Sequence, residues 1–70
     1  MNDYQDTAQW VRLVRAEYAE MPGLDLTLAQ MRRLWGLDDT TCESVVHALI
    51  EEHFLARSDD GRYVLTSARL

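Results

Sequence analysis

The feature that most constrains the fold lies between Leu26 and Leu65. Two short helical patterns meet there at a glycine, and a hairpin pattern follows without a linker. Thr27 stands three residues before Gln30, the spacing at which a hydroxyl and an amide close a capping box, so a helix is expected to open at Leu28. Leu28, Met31, Leu34 and Trp35 make its apolar face. Gly36 is expected to end it in the left-handed region, where a Cβ is penalised. Leu37 plugs the turn. Asp38 then caps the next helix, with Thr41 three residues on, and Cys42, Val45, Val46, Leu49 and Ile50 form one apolar stripe. His53 is expected to close that helix, where a cationic imidazole suits the dipole.

Phe54 to Arg57 and Arg62 to Thr66 read as paired strands around Asp59-Asp60-Gly61, because Asp-Gly between apolar runs is a strong hairpin signal. A two-residue turn sets Asp59 opposite Arg62; a four-residue turn sets Arg57 opposite Arg62. The first gives an attractive cross-strand pair and is preferred. Ser67 to Leu70 reads as a tail.

The stretch ahead is simpler. Met1 to Gln5 is polar and expected to fray. Asp6 or Thr7 can cap a first helix opened by Gln9 or Trp10. Trp10, Val11, Val14, Tyr18 and Met21 recur at three- and four-residue steps and share a face, with Arg12, Arg15 and Ala19 mostly on the other side. Pro22-Gly23 ends this helix. Leu24-Asp25-Leu26 is a short extended piece. The expected core is Trp10, Val14, Leu34, Leu37, Val45, Val46, Leu49, Phe54 and Val64.

Seventy residues make one domain, 1–70, near the lower end of what folds unaided. Twelve acidic residues outweigh seven basic ones, all Arg, for a net charge of −5, which lowers non-specific affinity for nucleic acid and anionic membrane. The single Cys excludes an intrachain disulfide and fits a reducing, cytoplasmic setting. No run approaches the ~20 apolar residues of a membrane span, and no signal peptide is evident, so export is not expected.

The Gly36-Leu37 turn, the capped helix from Asp38 to His53 and the Asp60-Gly61 tip resemble a winged-helix domain, with residues 8–66 as its core. The stretch Met21-Pro22-Gly23-Leu24-Asp25-Leu26-Thr27-Leu28 is also similar to small bacterial winged-helix proteins. The resemblance implies an α+β, mostly α fold: a three-helix winged helix-turn-helix with a C-terminal β-hairpin wing. It further implies a DNA-binding transcriptional regulator that acts as a homodimer. Helix 39–53 would be the recognition helix and hairpin 54–66 the wing. Base-facing positions would be Thr40, Thr41, Glu43, Ser44 and His47, and wing contacts Arg57 and Arg62.

The residues depart from that pattern. Asp39, Glu43, His47 and Glu51 lie four apart on one helical face, where a DNA reader carries Arg, Lys, Gln or Asn. Glu43 can accept from a cytosine amino group; three acids together repel phosphate. The stripe is most simply a solvated face. A protein-binding surface comes next and direct base readout third. Arg12, Arg15, Arg32 and Arg33 read first as surface partners of Glu17, Glu20 and Asp25, and only second as phosphate contacts. Arg57 and Arg62 are the best phosphate candidates, although edge strands also carry charge to block aggregation.

Cys42 reads as a small core residue, since Glu43 beside it opposes a thiolate. His47 with Glu43 and Glu51 is a weak metal signal without a Cys or a second His. No catalytic triad, phosphate loop or paired-Cys arrangement is present, so neither an enzyme nor a cofactor is expected. The alternative to DNA binding is an acidic winged-helix module for protein–protein interaction. A third possibility is a structural domain of a larger regulator.

Overall fold

A computed structural model describes the backbone of residues 3–69 and the side chains of residues 7–67. Met1 and Asn2, assigned above to the polar start, and Leu70, assigned to the tail, lie outside the described residues. The order is α1 (Asp3–Glu20), β1 (Leu26–Thr27), α2 (Leu28–Trp35), α3 (Asp39–Glu51), β2 (Leu55–Arg57) and β3 (Arg62–Leu65), closed by a 3₁₀ turn at Thr66–Arg69. This is an α+β, mostly helical winged helix-turn-helix, with the hairpin wing after the third helix.

The caps form as their spacing implies. Thr27 and Gln30 make a reciprocal capping box at 3.1 and 2.9 Å. Gly36 ends α2 at φ 66°, ψ 35°, and the N–H groups of Gly36 and Leu37 both reach the carbonyl of Arg32. Asp38 accepts from the Thr41 N–H at 2.9 Å. The first helix opens earlier than expected, at Asp3 rather than around Gln9. No Gly or Pro interrupts that stretch, so the ladder continues through it.

The end of α3 differs too. The helix stops at Glu51, and His53 stands outside it with φ 62°. The His53 N–H donates to the Ile50 carbonyl and the Phe54 N–H to the Leu49 carbonyl, both at 2.9 Å. Those two bonds are a Schellman motif with histidine where glycine is usual.

The sheet has three antiparallel strands in the order β1-β3-β2. Leu26, read as merely extended, pairs with Tyr63, so the wing is tied to the segment that opens α2. Neither expected hairpin register occurs. Arg57 pairs with Tyr63, and Ser58 sits across from Arg62 with its N–H on the Arg62 carbonyl at 2.7 Å. The loop is Asp59-Asp60-Gly61. Gly61 closes a turn onto the Ser58 carbonyl and sits at φ 82°, the three-residue hairpin in which a glycine supplies the left-handed step.

The buried core is Val14, Tyr18, Met31, Cys42, Val45, Val46, Leu49 and Leu55. Trp10, Leu37 and Phe54 pack against it partly buried, as do Tyr63 and Leu65. Two expected members do not belong. Leu34 is 59% exposed: the short helix α2 buries Met31, with Leu28 and Trp35 packed beside the core, and Leu34 falls off the edge of that face. Val64 alternates away from Tyr63 and Leu65, because successive residues of a strand face opposite sides. Met21 also leaves its face, since α1 ends one residue before it.

Candidate functional site

α3 is held by its inward face, so its outward face is fixed by the 3.6-residue period. Val45, Val46, Leu49 and Cys42 go into the core, and Asp39, Thr40, Glu43, Ser44, His47 and Glu51 are left exposed. Thr41 is half-buried at the capped end. The sequence-expected positions Thr40, Glu43, Ser44 and His47 therefore do share an outward surface. The wing residues Arg57 and Arg62 stand on a separate element, at opposite ends of the hairpin loop.

The electrostatics of this surface are acidic. Asp39 is ion-paired with Arg32 of α2, so the Arg32 guanidinium is engaged by the stripe it adjoins. His47 Nε2 lies 3.8 Å from the Glu51 carboxylate one turn on. Arg62 is held by two acids, Asp60 at 3.5 Å and Asp25 at 3.8 Å, and its guanidinium also approaches the Asp25 carbonyl. The expected Asp59–Arg62 pair is thus replaced by Asp60 and Asp25. Ser58 donates to Asp60, and this bond, with Arg62 adding, holds the Asp60 carboxyl below its ordinary range. Arg57 is exposed, its guanidinium 3.8 Å from where a Cβ on Gly61 would stand, so it lies over the wing tip.

Arg15 does not take the expected partners Glu17, Glu20 or Asp25. Arg15 bonds Glu52 at the end of α3 and lies over the Phe54 ring, 5.1 Å from its centroid. This clamp fixes α1 against the end of α3 through charge and ring contact. An open groove of about 570 Å³ beside it is bordered by Val11, Arg12 and Ala48.

Cys42 is buried with its Sγ 3.9 Å from the Leu28 carbonyl. Burial pushes its thiol up; Glu43 and Asp38 push the same way and Arg32 opposes them. Among the described residues no group of three His, Cys, Asp or Glu side chains is gathered as a metal site. No helix among them is long and apolar enough to cross a membrane.

No protein-family model matches the chain, and comparison with curated proteins and with solved structures also gives no match.

One part of the surface escaped the sequence. Ile50, assigned to the apolar stripe, is 37% exposed and borders a second open groove with Leu28, Val46 and Tyr63. Glu43 and His47 stand at the same groove. The signal that points to it is the fifth member of the stripe: Ile50 lies seven residues from Glu43, two turns along the outward face rather than the inward one. The contribution of Tyr63 depends on the strand register and is not readable from periodicity.

Proposed function

We propose that this chain is a non-catalytic winged-helix docking module whose exposed α3 face binds a basic segment of a protein partner. The observation that carries the reading is the charge of that face. Three of its four positions at i, i+4 spacing are acids, and the nearby Arg32 and Arg62 are already engaged by Asp39, Asp25 and Asp60. A helix presenting Glu43 and Glu51 to a phosphate-lined groove meets repulsion on both sides, whereas a basic protein surface meets attraction. Such surfaces act mainly on the rate of encounter and on partner choice.

The test is an association-rate measurement with a fluorescent Arg-rich helical peptide at low salt. Glu43→Gln with Glu51→Gln should slow association by about an order of magnitude and leave the far-ultraviolet spectrum unchanged. An unchanged rate would remove the reading.

A second reading, DNA binding as a transcriptional regulator, is favoured by the arrangement of the module. Thr40, Ser44 and His47 are exposed on the helix that follows the Gly36 turn, and Arg57 is exposed on the wing. One such small module offers few contacts, so a dimer would be needed for useful affinity. Under this reading Arg57→Ala and Arg62→Ala should each lower the salt slope by about one per lost phosphate contact. Wing substitutions that leave DNA binding untouched would remove it.

A further inference from the structure

We infer that the groove between α3 and β3 receives one aliphatic side chain of the partner, flanked by Arg or Lys one helical turn away. This rests on the docking reading above and adds to it the shape of the ligand. Leu28, Val46, Ile50 and Tyr63 line the groove with apolar surface, and Glu43 and His47 are its polar members. Its volume of about 320 Å³ lies at the bottom of the range that holds small ligands, so it suits a side chain better than a cofactor. Glu51, beside His47 on the outward face of α3, adds a second carboxylate. Ile50 is the exposed apolar member, and covering it removes hydrocarbon from water.

The occupant follows from charge complementarity. Neither Glu43 nor Glu51 forms an ion pair with an Arg among the described residues, and the one basic contact of Glu51 is His47. Glu43 at the groove, and Glu51 beyond His47 on the same helix face, are thus left to a cation brought from outside. An amphipathic segment with a Leu-like anchor and an Arg on the next turn satisfies floor and rim together, which is the helix-in-groove mode of recognition. Duplex DNA offers neither an aliphatic anchor nor a cation.

The experiment is a methyl NMR titration of the full chain with two synthetic helical peptides. One carries a central Leu with Arg one turn to either side; the other carries Ser in place of that Leu. The Leu peptide should bind about tenfold or more tightly than the Ser peptide, since burying one aliphatic side chain is worth that factor. It should move the methyl signals of Ile50, Val46 and Leu28. Ile50→Ser should abolish the preference, and Glu43→Gln with Glu51→Gln should weaken both peptides alike. Equal binding of the two peptides, with the methyl signals of Ile50, Val46 and Leu28 unmoved, would overturn the groove and leave the acidic-face reading standing. Binding of neither would overturn both. Displacement of the Leu peptide by random duplex DNA at equal salt would overturn both in favour of the regulator.

Discussion

The hydroxyl of Tyr18 donates to the carbonyl oxygen of Tyr63 at 2.7 Å, joining the first helix to the central strand of the wing sheet across 45 residues of sequence. Tyr18 is fully buried. Tyr63 also borders the proposed anchor groove, so this single bond ties α1 to a wall of that groove.

Tyr18→Phe should therefore destabilise the domain by about 1–2 kcal/mol, because it leaves the Tyr63 carbonyl without this donor. Burial holds the Tyr18 phenol above its ordinary value, and Asp25 pushes it the same way. The stability this linkage supplies is whole below the unfolded value of about 10 and falls as pH rises past it. Chemical denaturation from neutral to strongly alkaline pH should show that loss in the wild type. It should be smaller in Tyr18→Phe; equal pH dependence in the two would refute the linkage.

The two helix ends make opposite predictions. Gly36→Ala should cost about 1 kcal/mol, since φ 66° disfavours a Cβ even though nothing lies within 4 Å of one. His53→Gly should raise the melting temperature, because it relieves a left-handed histidine at φ 62°. A fall in melting temperature for His53→Gly would show that the imidazole contributes more than its backbone costs.

Leu34 and Val46 separate surface from core. Leu34→Lys should change stability by no more than about 0.5 kcal/mol. Val46→Asp should unfold the domain, since an unpaired buried carboxylate costs several kcal/mol from a total of about 5. Thermal melts of the two proteins check this, and a cooperative wild-type melt in Val46→Asp would contradict the packing of α3.

Cys42 should react slowly with a thiol reagent in the native protein and fast in denaturant. Burial withholds the thiolate, and Glu43 and Asp38 reinforce that effect. Rapid native labelling would point to an accessible, reactive thiol.

Three helix ends, the start and stop of α2 and the start of α3, were legible because they are written in short-range chemistry. Thr27 with Gln30, Gly36, and Asp38 with Thr41 need only three or four residues of context, and all formed. The wing was legible as a hairpin but not in register. Gly61 takes the left-handed step that sets Ser58 rather than Asp59 across from Arg62, and this turns Tyr63, not Val64, toward the core. Strand β1 has only two residues, too few to show a period. Of the candidate surface, the acidic face of α3 follows from spacing alone. The groove beside it needs Tyr63 from β3 and Leu28 from α2, a juxtaposition made by the tertiary fold.

The most direct test is to titrate the wild-type chain across a salt series against two labelled ligands: random duplex DNA and the Leu-bearing, Arg-flanked peptide. A docking module that works through Glu43 and Glu51 should bind the peptide with an affinity that falls as salt rises, and should leave the DNA unbound even at the lowest salt. DNA bound with a salt-dependent affinity, and peptide not bound at all, would contradict it.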